Sequence, residues 1–80
     1  LKYLQNELVK LEVLFLPSAT NFITTIWKSE DEAIRIVKRL MKAGIIVRHL
    51  KSFGWPNYIR ISTGLKEENK RLISQLKIIL

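Results

Sequence analysis

Leu1, Leu4, Leu8 and Leu11 recur at spacings of three and four, with Lys2, Gln5, Asn6 and Lys10 between them. That periodicity predicts an amphipathic helix at the start of the chain. Val13 to Leu16 form a short apolar run stopped by Pro17 and Ser18, and Asn21 to Trp27 are rich in β-branched and aromatic residues. Both stretches read as strands. Ser29, three residues before Glu32, has the form of a capping box and starts a second helix, with Ala33, Ile34, Ile36, Val37, Leu40 and Met41 as its buried face. Gly44 stands where a left-handed residue closes a helix, so this one ends near Ala43.

Ile45 to Leu50 read as a strand, Lys51 to Asn57 as a loop containing Gly54 and Pro56, and Tyr58 to Ser62 as another strand, which together suggest a hairpin. A last helix is expected from Lys66 to Leu80, with Asn69, Leu72, Ile73, Leu76, Ile79 and Leu80 inward and Glu67 and Glu68 near its positive end. The expected order is α-β-β-α-β-β-α, an α+β domain with one small sheet covered by helices. There is no internal repeat.

Composition narrows the chemistry. Eighty residues allow one domain. With no cysteine and one histidine, His49, the chain has no disulfide, no thiolate nucleophile and no multi-histidine metal site, and a reducing, cytoplasmic setting is favoured. No apolar run reaches the about 18 residues of a membrane-spanning helix, and no membrane partner is expected. The chain opens at Leu1, without an initiator methionine and inside a running helix. Residues 1–80 are therefore expected to be a single domain cut from something longer.

The net charge of +7 invites a basic nucleic-acid-binding module as one hypothesis. Against it, no basic run exceeds two residues, and neither a Gly-x-x-Gly clamp nor an aromatic-rich recognition strand is present. A solvated basic surface is the simpler account, and no nucleic-acid partner is expected. The two hypotheses separate by salt, since phosphate-backbone binding falls steeply as ionic strength rises.

The strands around the hairpin are more informative. Ile45 and Val47 alternate with Ile46 and Arg48, while Ile59 and Ile61 alternate with Tyr58, Arg60 and Ser62. If the two apolar sets share the core face, Arg48 and Arg60 emerge on the same side as near cross-strand neighbours. Like charges so placed destabilise a sheet unless something negative lies between them. Planar guanidinium groups suit a carboxylate or phosphate. The plain alternative is that both point at solvent or pair with Asp or Glu from elsewhere.

Other candidates have ordinary readings beside the functional ones. His49 is a proton shuttle or a structural histidine. Phe53 and Trp55 stack on a ring or pin their own loop. Asn21 orients a ligand or ends a turn. Asp31, Glu67 and Glu68 are explained by helix starts. There is no phosphate loop, no Gly-x-Ser-x-Gly and no separated carboxylate pair suited to acid-base work.

The segments Pro17-Ser18-x-x-Asn21-Phe22, Gly44-Ile45-Ile46-Val47-Arg48 and Ile59-Arg60-Ile61-Ser62-x-Gly64, taken in that order, resemble the C-terminal small domain of pyridoxal-phosphate-dependent aminotransferases of class I/II. Arg48-His49-Leu50, Phe53-Gly54-Trp55-Pro56 and Glu67-Glu68-Asn69 bring the resemblance nearest to histidinol-phosphate aminotransferase, over nearly the whole chain. The resemblance implies a domain that closes over substrate beside a large cofactor domain of the same parent chain, in a cytoplasmic homodimer of histidine biosynthesis. By similarity Arg60 binds the anionic group next to the reacting amine and Arg48 is a second ligand for the substrate anion; Asn21, if it orients a ligand, would be a supporting residue. The implied reaction moves an amino group between L-histidinol phosphate and 2-oxoglutarate.

Pyridoxal phosphate is expected in the intact parent and not on this fragment, because the family's Schiff-base lysine, its aspartate at the pyridine nitrogen and its phosphate cup all belong to the large domain. Lys51-Ser52 is not that lysine motif, which runs in the reverse order, and the fragment alone is expected to be inactive. Related pyridoxal enzymes, a threonine-phosphate decarboxylase or an aromatic aminotransferase, share the arginine and remain open. One departure stands out. Leu65 occupies the place of the family's usual threonine, which caps the final helix, and loss of such a hydroxyl costs ~1 kcal/mol.

Overall fold

The computed structural model describes residues 2–16 and 21–80. The elements are α1 (Lys2–Lys10), β1 (Leu14–Leu16), β2 (Phe22–Ile26), α2 (Glu30–Lys42), β3 (Arg48–His49), a 3₁₀ turn over Leu50–Phe53, β4 (Tyr58–Ser62) and α3 (Lys66–Ile79). The sheet runs in the order β1-β2-β4-β3, with every neighbouring pair antiparallel. The α+β order expected from the sequence is the order observed. Leu1, Pro17 and Ser18, which the sequence reading used, lie outside the described residues.

Period-two alternation decides the two faces of the sheet. Ile23, Thr25, Ile59 and Ile61 point inward and are buried. They share one core with Leu4 and Leu8 of α1, Ala33, Ile36 and Leu40 of α2, and Leu72, Ile73 and Leu76 of α3. Among the described residues all three helices therefore lie on this face, and none lies over the other face of the sheet, which carries Leu14, Leu16, Tyr58, Arg60 and Ser62. Each fully buried leucine or isoleucine contributes about 1.5–3 kcal/mol of transfer free energy, which concentrates the stability of this small domain in a few side chains.

Buried polar groups are matched. Thr25 is fully buried, and its hydroxyl donates to the Ile59 carbonyl at 2.9 Å while accepting from the Trp27 indole N–H at 2.9 Å. Asn57 extends the β2–β4 ladder past its end: its amide donates to the Trp27 carbonyl at 3.0 Å, and its own carbonyl accepts from the Trp27 backbone N–H at 2.8 Å.

Several boundaries differ from the expectation. The strand read over Ile45 to Leu50 shrinks to Arg48–His49. The chain leaves the sheet at Leu50 because a 3₁₀ turn satisfies its backbone locally, the Leu50 and Lys51 carbonyls accepting from Trp55 and Gly54 N–H, and because that turn buries the Leu50 side chain. Lys51 then pairs with Glu30 at 2.7 Å and ties the turn to the start of α2. Met41 is exposed, not buried, since the inward stripe of α2 is only Ala33, Ile36 and Leu40 wide, with Ile34 and Val37 half-buried beside it. Leu80 likewise lies exposed and Ile79 half-buried. Asn21 and Trp27 flank β2 without belonging to it.

The helix ends follow their caps. Ser29 Oγ accepts from Glu32 N–H at 3.1 Å, one half of the expected box. Leu65, at the cap of α3, has no oxygen to offer. Glu68 accepts instead from Leu65 N–H at 2.8 Å, and the buried Asn69 from Gly64 N–H at 3.1 Å, so the first turn is held from inside the helix. At its C-terminus α2 closes with Gly44 N–H on Met41 O and Ile45 N–H on Leu40 O, with Gly44 at φ +81°. α1 closes by the same pair of bonds, Glu12 N–H on Val9 O and Val13 N–H on Leu8 O, but the left-handed residue there is Glu12, at φ +60°. That conformation presses a Cβ against the next carbonyl, whereas glycine adopts it freely. Glu12→Gly is thus expected to stabilise the fold by about 1 kcal/mol, raising Tm by roughly 4–8 °C in a thermal melt. A fall in Tm contradicts the assignment.

Candidate functional site on the open sheet face

Arg60 lies in β4, second from the edge of the sheet, because Ile59 and Ile61 on either side of it are drawn into the core. Its antiparallel neighbour in β3 is Arg48, directly opposite. Residues so paired emerge on one face with Cα atoms about 4.5–5.5 Å apart. The two arginines therefore share the helix-free face, Arg60 half-buried and Arg48 exposed. Neither joins an ion pair among the described residues. Of the two readings of these residues, solvent or acid pairing on one side and an open anion site on the other, pairing with an internal acid is not what the geometry shows.

Each guanidinium instead lies over an aromatic ring. The Arg60 carbon is 5.3 Å from the centroid of Phe22 in β2, and that of Arg48 is 6.0 Å from the centroid of Phe53 at the end of the 3₁₀ turn. Beside the arginines, toward the Ser62 end of β4, an open depression of about 400 Å³ is lined by Ile46, Val47, Arg48, Arg60 and Ser62. Two cations side by side on a helix-free face, with donors arranged as forks, suit a carboxylate or a phosphate.

The other candidates fall elsewhere. Asn21 is exposed, and its carbonyl accepts from Thr63 N–H at 2.9 Å past the end of the β2–β4 ladder; it does not line the depression. His49 shares the inward side with its partner Ile59 and hydrogen-bonds through Nε2 to the Pro56 carbonyl, pinning the loop that leads into β4. Trp55 packs near Tyr58, ring centroids 6.1 Å apart. The role of Phe22 escapes a reading of β4 and β3 alone, because it depends on the pairing of Phe22 with Ser62, across a separation of forty residues.

Pyridoxal chemistry requires a lysine amine that forms a Schiff base and a partner for the pyridinium nitrogen. All nine lysines of this chain are exposed. The Lys51 ammonium is held above the ordinary lysine range by its hydrogen bond to Glu30 and then by the charge of that carboxylate, with slight opposition from burial. A Schiff-base amine needs the reverse, a lowered pKa in a desolvated site. The residues present do not fit the cofactor, and no step is assigned to it on this chain.

The family described as Aminotransferase class I and II matches residues 1–76. Among curated relatives, histidinol-phosphate aminotransferase 2 of Carboxydothermus hydrogenoformans is 34% identical over 79 residues, which is 99% of this chain and 21% of that protein. Histidinol-phosphate aminotransferase of Campylobacter fetus subsp. fetus is 46% identical over 63 residues, covering 79% of this chain and 17% of the relative. A crystal structure of a protein assigned as an aminotransferase, from Burkholderia pseudomallei K96243, superposes with a TM-score of 0.87 at 28% identity, covering 98% of this chain and 23% of that one. The chain spans about a fifth of the length of the curated relatives it matches.

Proposed function

Because this chain belongs to the class I and II aminotransferases, we propose that it is the substrate-closing small domain of a histidinol-phosphate aminotransferase. In this reading the parent moves an amino group between L-histidinol phosphate and 2-oxoglutarate, and works as a cytoplasmic homodimer. Arg60 and Arg48 bind the anionic groups of the substrates. The relatives that carry that enzyme name support the substrate assignment. The observation that carries the site is the direct pairing of Arg48 with Arg60 on the helix-free face, neither of them in an ion pair among the described residues.

The part this chain plays is positioning. Two cations at fixed separation hold an anionic substrate so that its amine or carbonyl keeps one distance from the reacting centre, which converts orientation entropy into rate. Pyridoxal phosphate, held by a larger domain of the parent, supplies the electron sink for the transfer. The sheet also excludes water from one side of the substrate when the two domains close, since Ile46 and Val47 line the depression beside the arginines. The 80 residues alone carry no transfer activity, because none of their lysines is buried. The test is a substrate panel on the intact enzyme. Transamination of L-histidinol phosphate with 2-oxoglutarate is expected to exceed that of aromatic amino acids, with no decarboxylation of threonine phosphate; the opposite ranking overturns the reading.

A further inference from the structure

The proposed anion site leaves a physical problem. Arg48 and Arg60 stand opposite one another, neither in an ion pair among the described residues, so each repels the other. Long arginine side chains under repulsion, with ample rotamer freedom, would swing away and lose the geometry a substrate needs. An aspartate would hold them, but it would also compete with the substrate for the same forks. The structure holds each with an aromatic ring instead. Phe22 packs under Arg60 and Phe53 under Arg48.

We propose that Phe22 and Phe53 are positioning residues that aim the two guanidinium groups at the substrate anion while leaving their charge free. A ring attracts the cation through its quadrupole but carries no net charge. The in-plane N–H forks therefore stay unspent, available to a carboxylate or phosphate in the plane of the guanidinium. The two rings also lie toward opposite ends of the β3–β4 pair. Phe22 pairs with Ser62, beyond Arg60, whereas Phe53 follows the turn that leaves the sheet after His49. Each ring thus draws its arginine toward its own end of the pair and away from the other, which lowers their repulsion. Phe22 is the stronger support, being half-buried in a paired strand and closer to its arginine, while Phe53 is exposed on a turn.

This rests on the anion-site reading above, and the experiment separates the two. Steady-state kinetics of the intact enzyme compare Phe22→Leu, which keeps apolar bulk but removes the ring, with Phe22→Tyr, which keeps it. Phe22→Leu is expected to raise KM for 2-oxoglutarate about 3- to 10-fold with kcat within about twofold, and Phe22→Tyr to restore the original KM. Phe53→Leu is expected to act in the same direction, more weakly. If Phe22→Leu leaves KM unchanged while Arg60→Ala raises it, the positioning role is overturned and the anion site stands. If Arg60→Ala leaves KM unchanged, the anion site itself falls. Should Phe22→Leu fail to fold, the side-chain Nε–H order parameter of Arg60 in the unmodified enzyme decides: an ordered side chain supports the role, and a value below about 0.6 overturns it.

Discussion

Arg60→Ala in the intact enzyme is expected to lower kcat/KM by about 100-fold, through a higher KM and a lower kcat together, without destabilising the fold. The size follows from losing a charge-assisted, forked contact, worth several times a neutral hydrogen bond. The neutral effect on folding follows from the position. Arg60 points away from the core and makes no ion pair among the described residues, and its register partner in β3 is the like-charged Arg48. Removing one of two opposed cations relieves repulsion, so Tm is expected to hold or rise slightly. This combination separates a binding residue from a structural one, for which activity and Tm fall together. Arg60→Lys is expected to recover only part of the loss, because an ammonium cannot reproduce the planar fork. Unchanged KM across both variants contradicts the assignment.

Thr25→Val is expected to destabilise the domain by about 2–4 kcal/mol. The replacement keeps shape but removes a hydroxyl that both donates to the Ile59 carbonyl and accepts from the Trp27 indole, in a fully buried place. Two buried polar groups lose a partner together, each at about 1–3 kcal/mol. Against a total stability of roughly 4–12 kcal/mol for a domain of this length, that is a large fraction, and the melt should shift down by more than about 10 °C. Thr25→Ser keeps the hydroxyl and removes one methyl, so it should cost about 1 kcal/mol. Equal behaviour of valine and serine at this position would show that the hydroxyl does not matter. The effect reaches the site, since Ile59 immediately precedes Arg60 and the Thr25 bond clamps β4 to β2.

Much of this was legible in the chain because local signals agreed with one another. Tyr58–Ser62 alternates cleanly and is the strand observed. Ser29 and Gly44 mark the ends of α2. The shared face of Arg48 and Arg60 follows from the parity of two short strands, which is why a sequence reading reaches it. The misses have long-range or compensated causes. The Leu50 strand position was lost to a turn stabilised by its own backbone bonds and by the Glu30–Lys51 pair, twenty-one residues apart. The left-handed Glu12 has no glycine to announce it. The ring beneath Arg60 belongs to a strand whose register with β4 no local pattern reveals. Asn21, read as a ligand-orienting or turn-ending residue, lies outside the lining of the depression.

Capture of the anionic end of a substrate by the open sheet face is tested most directly by a crystal structure of the intact enzyme with L-histidinol phosphate bound. Anion oxygens are expected about 2.7–2.9 Å from guanidinium nitrogens of Arg60, and of Arg48 beside it. A bound substrate whose phosphate and remaining polar groups are all held by other residues, with both arginines facing solvent, contradicts it.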